Sequence, residues 1–203
     1  MEKYSIFRDF KSFNYDDCMG KTITLVGLES VGSILVDSLV RAGLNVRLID
    51  RGRVEVTEIA SQALFLEEDV NRFKAKQGKK RLEMVNKDVK IKAFHEELTQ
   101  DTDYLLDSDL VVDCTNNKYT SEVVAQYCLS EKIPVIYVNN VVGGCDIIVR
   151  NDDSDKSNVA IVDSQKIILP NHAHRASGLV LELILCIFSK VPVKDKYGVR
   201  NLS

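Results

Sequence analysis

The chain has 203 residues, of which 45% are hydrophobic and 28% are charged. This length and composition fit one folded domain that buries a sheet between layers of helices, and they exclude a largely disordered chain. The net charge of −3 creates no field that would gather nucleic acid or anionic lipid, so we expect neither a nucleic-acid partner nor a membrane partner.

The first elements predict one βαβ unit. Residues 22–26 form a β-branched run, typical of a buried strand, that ends at Gly27. Apolar residues then recur at helical spacing over 34–40 and stop at Gly43, a natural helix end. Residues 46–50 predict a second strand. A strand, a glycine turn, a helix and a strand in this order form a parallel pair with a right-handed crossover.

Helices and strands continue to alternate after this unit. The predicted elements are a basic helix over 69–86, strands over 90–94 and 110–113, a helix over 120–132 and a strand over 134–139. Such alternation is typical of an α/β fold, a Rossmann-like and mostly parallel sheet with helices on both faces.

The last part of the chain follows a different pattern. Residues 143–149 and 159–169 predict antiparallel strands that extend the sheet around a polar loop at 151–158. A strongly apolar helix is predicted over 176–189, and the polar tail after Pro192 is expected to be loose.

Candidate ligand-binding residues follow the predicted strands, because an open parallel sheet binds ligands beyond the carboxyl ends of its strands. Gly27 allows a tight turn, Gly32 lets a helix pack closely, and the amides between them favour a phosphate. Glu29 replaces the middle glycine of such loops, and its side chain would crowd or repel a diphosphate. Asp50 ends the second strand, where a carboxylate accepts hydrogen bonds from ribose hydroxyls. These residues predict nucleotide binding without choosing between NAD and ATP.

Three later segments carry a family resemblance. They are Glu-Ile-Ala-Ser-Gln-Ala-Leu-Phe at 58–65, a stretch with several basic residues at 68–76, and Leu-Val-Val-Asp-Cys-Thr-Asn-Asn at 110–117. In this order, and after the glycine loop and Asp50, they resemble motifs of the ThiF/MoeB family of ubiquitin-activating-enzyme-like adenylyltransferases. That family carries N-x-x-R-Q-x-L-F, a helix opening with R-P-K, and a strand ending D-C-T-D-N. The resemblance runs from about residue 21 to 149 and resumes at 176–185.

The resemblance implies an enzyme that uses ATP and Mg²⁺ to activate a carboxylate as an acyl-adenylate, with release of pyrophosphate. It implies one ThiF-like ATP-binding domain over 1–203, divided into an N-terminal arm (1–20), a nucleotide-binding core (21–150) and C-terminal strands with the final helix (151–203). Family members commonly pair through the sheet edge and neighbouring helices, so we expect a homodimer.

The resemblance also assigns individual residues. Asp50 falls to the ATP ribose, Gln62 to the nucleotide-side loop and Lys74 to the phosphates, where an ammonium neutralises charge on the leaving pyrophosphate. The catalytic candidates are Lys74, Asp113 and Asn116. The nucleotide-binding candidates are Gly27, Glu29, Gly32, Asp50, Arg53, Gln62, Lys74, Thr115 and Asn117.

Three positions depart from the family motifs: Glu58 replaces an asparagine, Ser61 an arginine and Asn116 the second aspartate of D-C-T-D-N. That aspartate is expected to help hold Mg²⁺, and an asparagine keeps a ligand oxygen while losing the charge. Either Asp113 or Glu29 compensates, or the enzyme is slow, or the chain is a nucleotide-binding relic.

The family's zinc-binding and acceptor cysteines are absent, and no C-x-x-C pair occurs, so we expect no metal held by a protein cluster. The small size and the missing zinc motif resemble the HcgE-type subgroup of methanogens, which acts in biosynthesis of the iron-guanylylpyridinol (FeGP) cofactor of Hmd hydrogenase. This subgroup would imply a guanylylpyridinol carboxylate as the small-molecule substrate and a separate protein that accepts the acyl group.

The five cysteines are odd in number and widely spaced, a pattern that argues against a disulfide framework and for a reducing compartment. The first 17 residues lack the apolar core of a signal peptide, and the longest apolar stretch, 178–188, is too short to cross a bilayer. We therefore expect a soluble cytoplasmic protein. Cys114 and Cys145 have no neighbouring base in sequence, and packing is the favoured role for both.

Two histidines and an arginine precede the last predicted helix. His172, His174 and Arg175 are candidates for gripping a substrate carboxylate or phosphate, and a capping and packing role is the alternative. Two other functions stay open at this point. One is an NAD-dependent oxidoreductase, and the other is a catalytically silent nucleotide-binding module.

Overall fold

A computed structural model describes residues 3–151 and 168–200. The described strands are β1 (Thr22–Val26), β2 (Asn45–Ile49), β3 (Ile91–Phe94), β4 (Leu110–Asp113), β5 (Val135–Val141), β6 (Gly144–Arg150) and β7 (Lys196–Arg200). The described α-helices are α1 (Ser5–Arg8), α2 (Ser30–Arg41), α3 (Lys74–Val85), α4 (Lys118–Glu131) and α5 (Pro170–Phe188).

The strands form one sheet in the order β3-β2-β1-β4-β5-β6-β7. Strands β1 to β5 are parallel, and β6 and β7 continue the sheet in antiparallel fashion. The prediction of a mostly parallel sheet with an antiparallel C-terminal extension is therefore confirmed. The direction in which the sheet grows reverses between β1 and β4, and this is where open α/β sheets form a ligand crevice.

Helices cover both faces because the strand side chains alternate between two cores. Leu25 of β1 packs in a core with α2 and α5, whereas its neighbour Val26 packs in a second core with Val123 and Val124 of α4. Every residue of β4 is buried, as expected for a central strand covered on both sides. This burial fixes the strand ends, and the loops that follow them, relative to one another.

Two helices begin at residues that differ from the predicted ones. Helix α3 begins at Lys74 because residues 67–69 form a separate short turn, in which Asp69 accepts a hydrogen bond from the Leu66 amide at 3.0 Å. Helix α5 begins at Pro170, and a proline in the first turn costs no helical hydrogen bond. The segment predicted to precede α5 therefore forms its first turns.

The predicted loose tail after Pro192 is wrong over residues 196–200, which form edge strand β7 beside β6. Asp146 of β6 holds this strand through ion pairs with Lys196, at 2.9 Å, and with Arg200. The strand predicted over 159–169 and the loop over 151–158 lie largely outside the described residues.

The N-terminal segment packs on the sheet domain, since Tyr15 is 2% exposed and its hydroxyl donates to the Ala42 carbonyl. Among the helices of residues 3–151 and 168–200, none combines the length and the apolar character needed to cross a membrane.

Candidate active site

A cleft of about 660 Å³ lies at the carboxyl ends of the central strands. Its walls come from the glycine loop after β1, the end of β2, residues 57–62, the segment after β3 and the loop between β4 and α4. It thus occupies the position expected for a ligand site at the reversal of strand order.

The glycine loop has the shape the sequence predicts. Gly27 has a φ of +89°, and a Cβ there would approach the backbone of Cys114 and Thr115 to 3.1 Å. A Cβ on Gly32 would lie 2.1 Å from the Gly27 carbonyl oxygen, so a side chain would not fit. Gly32 is not among the described residues that line the cleft, and its role is to let α2 pack closely against the glycine loop. No described side chain caps the amino end of α2, which leaves its first amides available to an anion.

Asp50 joins the end of β2 to this loop. One carboxylate oxygen accepts a hydrogen bond from the Leu28 amide and the other from the Gly52 amide, each at 2.7 Å. These bonds fix the carboxylate at the cleft wall. Each carboxylate oxygen has a further lone pair, so Asp50 can still accept the hydroxyls of a ribose.

Lys74 and Asp50 both lie next to Gly52. A Cβ on Gly52 would meet Asp50 Oδ1 at 3.0 Å and Lys74 Cδ at 3.6 Å. The Lys74 amide also donates to the Gly52 carbonyl at 3.0 Å, which ties the start of α3 to the end of β2. The carboxylate and the lysine predicted to serve one nucleotide are therefore neighbours.

The Lys74 ammonium is paired with two carboxylates. Its Nζ lies 2.6 Å from Glu58 Oε1 and 3.0 Å from Glu29 Oε1, and its side chain is only 4% exposed. Burial opposes its charge, but Glu29, Glu58 and Asp50 together outweigh burial and raise the pKa of Lys74. Lys74 stays charged and lies behind Glu29 and Glu58, which line the cleft in its place.

Glu29 also binds Gln62, whose side-chain amide donates to Glu29 Oε2 at 3.0 Å. Burial raises the pKa of Glu29 and Lys74 opposes that effect. Gln62 is 1% exposed, and its Oε1 has no hydrogen-bond partner among the described residues. The family motif predicted Gln62 at this wall, whereas no sequence signal predicted that Glu58 and Glu29 would meet at Lys74.

Arg53, a nucleotide-binding candidate, lies away from the described cleft wall. Its guanidinium stacks 3.9 Å from the centroid of the Phe73 ring, and it donates to the Asn71 carbonyl. These contacts hold the strand-like segment before α3 in place.

The opposite wall of the cleft contains Thr115, Asn116 and Asn117. Asp113 lies beneath them and is 2% exposed, and it accepts hydrogen bonds from the Thr115 amide at 2.9 Å and from Ser121 Oγ. Burial raises the pKa of Asp113 against these hydrogen bonds. In this arrangement Asp113 positions the wall, and it does not reach the cleft as the predicted catalytic contact would require.

The Asn116 and Asn117 side chains already have partners. The Asn116 oxygen accepts a hydrogen bond from the Asn140 amide, and Asn116 adopts a φ of +51°. Asn117 caps α4 by accepting from the Thr120 amide at 3.0 Å. Both side chains therefore shape the wall, and Asn116 retains one lone pair on its oxygen.

None of the three predicted substrate residues lines the cleft in the described part of the chain. His172 is buried in the first turns of α5, whereas His174 and Arg175 are exposed. Arg175 donates to the Arg200 carbonyl at 2.7 Å, which links α5 to β7. The burial of His172 and the contact of Arg175 agree with the packing alternative.

The charge of the cleft wall is mainly negative. Its acidic residues are Glu29, Asp50, Glu58, Glu96 and Glu97, and Arg51 is paired with Glu97 at 2.7 Å. The described residues bring together no three His, Cys, Asp or Glu side chains that could hold a metal ion.

Burial raises the pKa of the Cys114 thiol well above its usual range and raises that of Cys145 to about 11. Both thiols are free and buried. Protonated, inaccessible thiols are poor nucleophiles, in agreement with a packing role.

Comparison with known proteins identifies the family. The Escherichia coli (strain K12) sulfur carrier protein ThiS adenylyltransferase is 28% identical over 130 residues, covering 63% of this chain and 52% of that protein. Its Bacillus subtilis (strain 168) counterpart is 30% identical over 118 residues, covering 56% and 35%. The chain thus spans about half, or less, of the length of these relatives. The crystal structure of E. coli MccB with ATP shares the fold, with a TM-score of 0.79 at 17% identity, covering 92% of this chain and 63% of that chain. Residues 3–194 match the sequence profile of the ThiF family, and the chain belongs to that family.

Proposed function

We propose that this protein binds ATP in the cleft and adenylates a carboxylate, releasing pyrophosphate. The observation that carries the proposal is that Asp50 and Lys74 meet next to Gly52, close to the uncapped amino end of α2. Adenylyltransferases among the relatives and the ATP complex of MccB support ATP as the ligand.

ATP fits the residues of this cleft. Asp50 accepts the ribose hydroxyls, and the uncapped first amides of α2 face the phosphates. A side chain at Gly27 would press on the backbone of Cys114 and Thr115, and one at Gly32 on the Gly27 carbonyl, so both glycines keep the loop in the shape that the phosphate site needs. NAD would use the same loop and Asp50, but NAD binding gives Lys74 no role. The named relatives are adenylyltransferases, which favours ATP.

The chemistry is a displacement at the α-phosphorus of ATP. A substrate carboxylate oxygen forms a bond to phosphorus, the bond to the bridging oxygen breaks, and pyrophosphate leaves with that electron pair. Lys74 and the loop amides stabilise the negative charge that builds on the leaving group. Mg²⁺ bound with ATP would offset phosphate charge, and the Asn116 oxygen is the protein ligand at hand.

The substrate we propose is a small-molecule carboxylate, with the guanylylpyridinol of FeGP cofactor biosynthesis in methanogens as the specific candidate. The lack of a C-x-x-C pair within residues 1–203 supports this choice of subgroup. The proposal includes a homodimer, a separate protein that accepts the acyl group, and a cytoplasmic location, the last supported by five free cysteines.

A silent nucleotide-binding module is the second candidate. It is favoured by the two carboxylates that occupy Lys74 and by Asn116 and Ser61, which remove charges that the family motifs carry.

Exchange of labelled pyrophosphate into ATP separates the two candidates. With Mg²⁺ and the right carboxylate, we expect exchange that depends on the carboxylate and falls by at least about a hundredfold in Lys74→Ala. Lys79→Ala, on the exposed face of the same helix, is the matched control and should keep full exchange. ATP binding without exchange across a panel of carboxylates that includes guanylylpyridinol would favour the silent module.

A further inference from the structure

The Glu29 carboxylate binds the two donors that a phosphate would need, the Lys74 ammonium and the Gln62 side-chain amide. Its Oε1 lies 3.0 Å from the Lys74 ammonium and its Oε2 accepts from the Gln62 amide at 3.0 Å. An anion with two oxygens, held by one ammonium and one amide at a cleft wall, has the binding pattern of a phosphate group.

Glu58 and Glu29 differ in their freedom to leave Lys74. Glu58 is held from behind, because its Oε2 accepts from the Glu55 amide at 2.9 Å, and its side chain is 19% exposed. The Glu29 side chain is 47% exposed and makes no capping bond to α2. Rotation of the Glu29 side chain alone would therefore free both donors and leave the backbone in place.

The Glu29 carboxylate and a nucleotide phosphate cannot both bind at Lys74, because both are anions. The Glu29 carboxylate pairs with the Lys74 ammonium, beside the Glu58 carboxylate and near that of Asp50. A phosphate that approached Lys74 with Glu29 in place would face these like charges in a partly buried cleft, where like charges repel more strongly than in water. Removing Glu29 from Lys74 removes both the repulsion and the competition.

We propose that Glu29 is a specificity-determining residue whose carboxylate stands in for a nucleotide phosphate on Lys74 and Gln62. A phosphate binds there only by displacing it, so Glu29 lowers the affinity for ATP while leaving the affinity for the nucleoside part unchanged. This inference rests on the proposed ATP site, and it explains why an acidic residue is tolerated where a glycine loop usually has no side chain.

Binding titrations with ATP·Mg²⁺ and with adenosine test the inference on the full chain. Glu29→Ala removes the competing carboxylate and, because Glu29 makes no capping bond, removes no cap from α2. We expect Glu29→Ala to bind ATP about tenfold more tightly and adenosine equally well. Glu96→Gln removes one charge from the same wall, away from the Lys74 contacts, and should change ATP affinity by less than about threefold.

Each outcome has one meaning. Unchanged or weaker ATP binding in Glu29→Ala, with adenosine still bound, would overturn the role of Glu29 and leave the ATP site standing. An equal gain in Glu96→Gln would show a general charge effect and would also overturn it. Failure of the wild type and both variants to bind either ligand would overturn the proposed function itself.

Discussion

At the scale of single residues, the family motifs predict the position of Lys74 but not its partners. Its position on α3 and its neighbour Asp50 could be predicted, because both follow from family motifs in sequence order. Its pairing with Glu29 and Glu58 could not, since these residues come from two separate loops that only the folded chain brings together. The acidic replacements that depart from the motifs thus belong to one ion cluster.

Removal of the Lys74 ammonium from this cluster should lower the stability of the fold. Lys74→Met leaves the Glu58 carboxylate, 19% exposed, without its cation, and we expect the free energy of unfolding at pH 7 to fall by about 2 kcal/mol. Urea denaturation measures the change. Adding Glu58→Gln to Lys74→Met should recover about half of the loss.

Lys79→Met on the same helix is the matched control for stability. Lys79 forms an exposed pair with Glu83 at 3.6 Å, and its loss should cost less than about 0.5 kcal/mol. Equal effects of the two lysine variants would show that the cluster contributes nothing particular to stability.

At the scale of elements, the local sequence pattern predicts the strands whose position is decided by burial of their side chains. Strands β1 and β4 are rich in β-branched residues and lie between two layers of helices, and the structure gives both their predicted bounds. The onset of α5 and the existence of β7 were missed, because the first is polar and the second is a short edge strand. Strand β7 depends on long-range pairs with Asp146, which a local pattern does not contain.

Gly32 in α2 tests the packing of that helix against the glycine loop, and Gly178 in α5 is the control in open space. Gly32→Ala places a Cβ 2.1 Å from the Gly27 carbonyl oxygen, and we expect it to lower the unfolding free energy by more than about 2 kcal/mol. Gly178→Ala in α5 meets no atom within 4 Å and should raise it by about 0.5 to 1 kcal/mol. Thermal unfolding of both variants gives the comparison, and a neutral Gly32→Ala would contradict the tight loop.

At the scale of the whole molecule, topology places the cleft. The reversal of strand order between β1 and β4 opens the crevice, and the loops after four parallel strands bring residues distant in sequence to its walls. The sheet and the location of the cleft could therefore be predicted from the alternation of elements. The contribution of the segment after β3, with Glu96 and Glu97, could not, because nothing in its sequence marks it as part of the site.

A crystal structure of the chain with a non-hydrolysable ATP analogue and Mg²⁺ tests the nucleotide site most directly. We expect the ribose hydroxyls on Asp50, the phosphates at the uncapped first amides of α2, and Lys74 in contact with a phosphate after Glu29 has turned away. An empty cleft at saturating analogue, or a nucleotide bound elsewhere on the molecule, would contradict the ATP site and the adenylation chemistry built on it.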